Sequence, residues 1–296
     1  MTNESAKSSE SGKQGESEKP GSNPSANSSS RPSSNSAPNP DELPFVAPSK
    51  KLGMGAPLRW IQLGWNDIKH APKQSLSYGV VVLLLSYAIT YFAWTVGSIY
   101  LMVAMLSGFI FIGPVMAIGL YSISKQIQHG YAPALGYCIR QEKRHLGSEL
   151  VFAIILLVVV LVWARAASMV HVFFPTDGSQ EFADFAIFLG VGSAVGSIFA
   201  TVVFCASAFS LPMIMDKNVD TVTAVLSSVN AVLRNKAVML FWVAIIVFCL
   251  VLSFLTGLLG LVVLMPLIGH ATWHAYQETI DASQWPDYRK TSDETK

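Results

Sequence analysis

VMLFWVAIIVFCLVLSFL, Val238–Leu255, carries no charged residue. A bilayer hydrocarbon core about 30 Å thick is crossed by about 20 apolar residues of helix. Behind a short Thr256-Gly257 turn comes LLGLVVLMPLIGHATWHAY, Leu258–Tyr276. Both runs are continuously apolar rather than alternating, which indicates membrane helices and not barrel strands. The same ruler applied outward finds four more spans. Phe185–Met213 is long enough to tilt, and Ser148–Val170 precedes it. Ile99–Ile123 and Ser77–Val96 are parted only by Gly97 and Ser98. The expected fold is therefore all-α: a polytopic membrane helix bundle of six transmembrane helices.

Composition agrees. Hydrophobic residues make up 51% of the chain and charged ones 13%, half the charge of an ordinary soluble domain. Net charge is +1, so nothing points to nucleic acid. Residues 1–50 are rich in Ser, Asn, Pro and Gly. They cannot bury enough apolar surface to offset their ordering entropy, and read as a disordered cytoplasmic tail. The membrane domain spans 57–276, and 277–296 reads as a second cytoplasmic tail. No basic region followed by a short apolar core opens the sequence, so the first internal span is expected to drive insertion. Cys138, Cys205 and Cys249 form no CxxC pair and read as free, packing thiols.

Basic residues set the expected orientation. Lys50, Lys51, Arg59, Lys69 and Lys73 precede the first span. Lys125, Arg140, Lys143 and Arg144 follow the second, Lys217, Arg234 and Lys236 the fourth, and Arg289, Lys290 and Lys296 the sixth. The opposite connections lack Lys and Arg, and the loop about His171–Asp184 carries Asp177, Glu181 and Asp184. Basic segments stay inside, so both termini are expected in the cytoplasm. Trp60, Trp65 and Trp273 fall near the inner interface, and Tyr91, Trp94, Tyr100, Phe173 and Phe174 near the outer one.

A threefold internal repeat is expected. Spans two, four and six each carry a proline towards their cytoplasmic end: Pro114, Pro212 and Pro266. Proline removes a backbone bond and kinks a helix. Two of the preceding cytoplasmic segments are amphipathic. In Leu58–His70 the apolar residues are Leu58, Ile61, Trp65 and Ile68; in Thr221–Leu233 they are Val222, Val225, Val229 and Val232. Such spacing predicts helices with one apolar face, lying along the inner membrane surface with Arg59 and Lys69 towards headgroups. The middle copy, Ala132–Leu146, is less regular.

Pro57-Leu58-Arg59-Trp60 through Gly64-Trp65-Asn66-Asp67-Ile68, then Gly108-Phe109 to Gly113-Pro114 and Gly119-Leu120-Tyr121, carry a resemblance. Over about Pro57 to Tyr276 the chain resembles the domain of unknown function 2189 family (DUF2189) of bacterial integral membrane proteins. The resemblance implies a multi-pass inner-membrane protein. Some members are labelled as cytochrome c oxidase subunits, and the family supplies no catalytic residues.

The residues do not support an oxidase centre, which needs several membrane-held histidines. Of six histidines only His270 and His274 sit on a span, one helical turn apart, with no Cys, Asp or Glu ligand beside them in that span. Two imidazoles make an incomplete metal site, so no metal and no cofactor are expected. Arg165 is the one charge inside a span. It lies close enough to the outer end for its guanidinium to reach water, and its functional alternative is an intramembrane counter-ion. Gly192, Gly196 and Ala200 recur at steps of four beside Ser193, Ser197 and Thr201, a pattern of close helix approach within the bundle, towards a second copy of the chain or towards another membrane protein. Nucleophile elbow, phosphate loop, zinc-protease and dinucleotide motifs are absent, so no enzyme is expected. A non-catalytic scaffold or assembly factor is the leading reading. A facilitator for a small neutral or apolar solute and an accessory subunit of a respiratory complex are the alternatives.

Overall fold

The computed structural model describes residues 44–96, 116–173 and 182–287. The tail before residue 44, the outer part of the second expected span with Pro114, the loop residues 174–181 and the last basic residues lie outside them. The described residues are helical throughout their regular structure. The order is α1 Ala56–His70, α2 Pro72–Val96, α3 over 116–128, α4 Leu135–Phe173, α5 Phe182–Ser207, α6 Ser210–Asp216, α7 Thr221–Arg234, α8 Lys236–Leu255 and α9 Leu261–Thr279.

Three stretches are long and apolar enough to cross a membrane: Pro72–Phe92, Ala186–Asp216 and Lys236–Leu255. They correspond to expected spans one, four and five. The third expected span lies within α4, whose apolar part, Leu150–Ala166, is shorter. The sixth is α9, whose second half turns His270, Trp273 and Tyr276 into the protein interior. The interfacial segment expected before span three is not separate, because α4 runs unbroken through both for 39 residues.

Local chemistry explains the breaks. Pro57 stands in the first turn of α1, where its missing N–H is no loss. Pro72 then biases Ala71 away from helical geometry, to φ −132° and ψ 60°. Asn235 parts α7 from α8 with nearly the same geometry, φ −123° and ψ 38°, by another means. Its amide accepts from the Leu52 N–H and donates to the Lys50 and Ala231 carbonyls. Asp220 caps α7 by accepting from the Thr223 N–H at 2.9 Å. Partial burial opposes its ionisation, but that bond and its neighbours hold the carboxyl below the usual range. Expected span four divides at Ala208–Phe209, because Pro212 has no N–H for the Ala208 carbonyl and would clash with it. The turn after α8 takes positive φ at both Gly257 and Leu258, so α9 starts at Leu261 rather than Leu258.

The core gathers at one end of the bundle, around Trp60, Trp242, Trp273, Tyr276, Phe152 and Phe209. Trp60 meets Trp242 edge-on with ring centroids 5.5 Å apart. Trp60 and Trp273 are fully buried. That corrects the expectation that they form an interfacial belt with Trp65, which alone of the three is exposed. Away from this core, Leu240, Phe248, Phe254 and Leu255 of α8 and Ile187, Val191, Ile198 and Val202 of α5 are exposed; such a surface is tolerable against lipid and a liability in water.

Helix α1 packs chiefly along α9, and its buried residues are Ala56, Pro57, Trp60, Gly64, Asp67 and Ile68. The expected apolar stripe of Leu58, Ile61, Trp65 and Ile68 is one residue out of step with this face, a rotation of about 100°. Leu58 and Trp65 remain exposed. Helix α7 behaves alike: Thr221, Ala224, Ser228, Ala231 and Val232 are buried while Val222 is exposed. Two flanking segments join this core. Residues 47–52 run across α7 and the end of α9, with the Ala47 N–H on Ser227 and the Lys50 N–H on the Thr279 carbonyl. Beyond α9, Ile280, Ala282 and Trp285 are buried.

Candidate functional site

Close backbone approaches bring polar side chains of four helices together. A Cβ at Gly64 of α1 would stand 2.8 Å from the Ala271 nitrogen and 2.9 Å from the Leu267 oxygen of α9. Gly79 of α2 lies against the Val262 carbonyl, which Pro266 leaves without an intrahelical N–H. Gly269 meets the Leu120 side chain of α3. Around α9 so clamped lie Asp67 of α1, Ser75 of α2, Ser124 and Gln128 of α3, and His270, Trp273 and His274 of α9 itself.

These residues form one connected chain. Ser124 Oγ lies 2.6 Å from Asp67 Oδ2, and His274 Nε2 lies 2.8 Å from the same oxygen. His270 places Nδ1 2.7 Å from Ser124 Oγ and Nε2 2.9 Å from Ser75 Oγ. His274 Nδ1 is 3.3 Å from Gln128 Nε2, and Trp273 Nε1 donates to Gln128 Oε1 at 3.0 Å. Ser75, Ser124 and His270 are fully buried, and Asp67 is 5% exposed.

With Asp67 ionised and His270 neutral, each link takes one direction. The indole N–H only donates, so Gln128 must turn its oxygen to Trp273 and its NH₂ to His274. His274 Nδ1 is then an acceptor, and its Nε2–H donates to Asp67. An ionised carboxylate only accepts, so the Ser124 hydroxyl also donates to Asp67. Ser124 Oγ in turn accepts from His270 Nδ1–H, and His270 Nε2 accepts from Ser75. In this arrangement both arms point at Asp67.

Ionic contacts flank this centre. Asp216, ending α6, takes Lys125 at 2.8 Å and the Tyr276 hydroxyl at 3.0 Å. Lys217 pairs with Asp287 and holds that carboxyl below the ordinary range. Glu278 accepts from the Trp60 indole at 2.8 Å and pairs with Arg59. Arg59 thus faces a carboxylate of the same chain, not only headgroups.

The expected site residues separate. His270 and His274 belong to the buried chain, but Asp67 and Ser124 stand among them. All four imidazole nitrogens have protein partners, so the pair as it stands offers no lone pair to a metal. Among the described residues no group of three potential metal ligands occurs. Arg165 is exposed on α4 and makes no hydrogen bond or ion pair among the described residues. We expect Arg165→Lys and Arg165→Leu each to change stability by less than about 0.5 kcal/mol, checked by thermal unfolding of the three proteins in one detergent. A large loss in both variants would make the position an interior counter-ion. On α5, a Cβ at Gly192 would meet nothing within 4 Å, and one at Gly196 only Trp163 Nε1 at 3.8 Å. Ala200 is exposed. Among the described residues this small-residue face meets only Trp163.

The residues missed from sequence are Asp67, Ser75, Ser124 and Gln128. A signal did exist for the first. Trp60, Gly64, Asp67 and Ala71 recur at steps of four and three, a second stripe beside the apolar one. Its mixed composition concealed it from a hydropathy reading.

An all-helical chain with apolar helices of membrane-spanning length and a polar knot at one end of the bundle is an integral membrane protein. Residues 101–216 match the model of a family described as a predicted integral membrane protein (DUF2189), which shows the family resemblance over that segment. The Gly108–Tyr121 motif and Ser124 lie inside the match; Asp67, His270 and His274 lie outside it. No curated protein and no solved structure matches the chain.

Proposed function

We propose that the chain is a bacterial inner-membrane scaffold or assembly factor, crossing the bilayer six times with both termini in the cytoplasm. The observation that carries this reading is the unequal use of small residues. Gly64, Gly79 and Gly269 all lie in tight contacts within the fold, whereas among the described residues Gly192 meets nothing and Gly196 only Trp163 at 3.8 Å. Small residues at this spacing suit close approach by another membrane helix. The threefold repeat belongs to the same proposal. Pro57, Trp60, Gly64, Asp67, Ile68 and Ala71 answer position by position to Thr221, Ala224, Ser228, Ala231, Val232 and Asn235, all buried.

The test is disulfide cross-linking of Gly192→Cys and Ala200→Cys in native membranes, with identification of the captured chain. The expected product is a discrete adduct with a second copy or with one membrane protein, also recovered after extraction in mild detergent. Absence of any adduct at both positions would remove the scaffold reading. Visible haem in the co-purified material would favour the respiratory-subunit reading. A cavity of about 240 Å³ between α3, α8 and α9, lined by Leu120, Ile246, Leu250, Leu264 and Ile268, supports a facilitator for a small apolar solute as the second reading. Flux through vesicles holding the isolated chain would favour it.

For the orientation, a reporter fused at Lys296 should be active only as a cytoplasmic reporter, and one near Gly178 only as an external reporter. Alkaline phosphatase activity at Lys296 would overturn the topology.

A further inference from the structure

We propose that the Asp67–Ser124–His270 cluster is a proton-binding site, loaded through His270 and storing the proton on Asp67. With both imidazoles neutral and Asp67 ionised, the cluster holds one net negative charge in the interior. Among the described residues no Lys or Arg is paired with Asp67. An uncompensated buried carboxylate is costly, and a proton neutralises it without displacing an atom.

The two arms differ in their ability to accept that proton. Protonating His274 at Nδ1 would set it against the Gln128 NH₂. A turn of Gln128 would leave the buried Trp273 N–H facing a second donor. The other arm ends in hydroxyls, which rotate. A proton forms a bond to His270 Nε2. The His270 Nδ1–H bond breaks as its proton passes to Ser124 Oγ, and the Ser124 hydroxyl proton passes to Asp67 Oδ2. One proton is taken up and no redox change occurs. Afterwards Asp67 donates to Ser124, Ser124 to His270 Nδ1, and His270 Nε2–H to Ser75. Each link keeps its partners with direction reversed.

The titratable groups facing Asp67 are His270 and His274 of α9. Helix α3 contributes Ser124 and Gln128, its Lys125 being held by Asp216. Helix α2 contributes Ser75, while Lys73 is exposed, as are Lys69 and His70 on α1. Ser75 lies in the first turn of α2 beside exposed Pro72 and Lys73, which places the entry at that end of the helix.

The test is infrared difference spectroscopy of the full chain in lipid nanodiscs between alkaline and acidic pH, in H₂O and D₂O. Acidification of the wild type should produce the carbonyl stretch of a buried carboxylic acid, shifted in D₂O. The band should be missing in Asp67→Asn. Ser124→Ala interrupts the relay and should move the band's pH midpoint by about one unit or more, tenfold in proton affinity. Trp273→Phe frees Gln128 to turn, and should shrink the band in favour of an imidazolium signal. No carboxylic acid band in the folded wild type would overturn the proposal, as would a band that persists in Asp67→Asn. Should Asp67→Asn fail to fold, a wild-type band left unmoved by Ser124→Ala would overturn it equally.

Discussion

Gly79→Ala should lower the midpoint of thermal unfolding more than Gly64→Ala, Gly269→Ala or Gly192→Ala. The added Cβ falls on the Val262 carbonyl and α-carbon, which are backbone atoms and cannot rotate away. Helix α2 would have to part from α9, and overpacking of this kind costs about 1–3 kcal/mol, occasionally more. Gly64→Ala should follow closely, since its Cβ meets backbone nitrogen and oxygen of α9 below 3 Å. Gly269→Ala should be milder, because the obstructing atom is the end of the Leu120 side chain. Gly192→Ala supplies the contrast: nothing lies within reach among the described residues, so the isolated chain should be unaffected or slightly stabilised by the better helix propensity of alanine. Unfolding of the four variants in one detergent gives the ranking. Equal midpoints for Gly79→Ala and Gly192→Ala would show that α2 and α9 do not pack as described.

Asp67→Ala should be the most damaging polar substitution, at about 3–5 kcal/mol. It removes the acceptor of two buried donors, the Ser124 hydroxyl and His274 Nε2–H, each of which loses its desolvation compensation. Asp67→Asn keeps the volume and one acceptor oxygen and should cost less. Asp281→Ala, at an exposed turn, should change little. The order of unfolding midpoints checks this. A loss under about 0.5 kcal/mol for Asp67→Ala would show that the chain of bonds contributes nothing to holding α1 on α9.

The two predictions concern the same helix junctions, and the sequence announced them unequally. Prolines 57, 72 and 212 mark helix starts and breaks by a rule that operates within four residues; the sequence reading used it at Pro212, as a kink, and began the first span at Ser77 rather than at Pro72. The apolar face of α1 was readable too, but its assignment to the membrane was only half the matter. The helix has two functional flanks about 100° apart. One bears Leu58 and Trp65 and stays exposed; the other bears Trp60, Gly64 and Asp67 and meets α9. A hydropathy stripe finds the first and passes over the second, because a stripe of Trp, Gly and Asp has no common hydropathy.

Transfer of apolar residues into hydrocarbon is a local and nearly additive term. Runs such as Val238–Leu255 therefore declare themselves as membrane helices without knowledge of their neighbours. The meeting of Asp67 with His274, 207 positions apart, obeys no local term. It depends on how far α1 is rotated about its axis and how closely it approaches α9, an approach that the missing Cβ of Gly64 allows, as that of Gly79 allows the approach of α2. The same two histidines that read along one helix as an incomplete metal pair become, once α1, α2 and α3 close around them, the donors and acceptors of a chain directed at one buried carboxylate.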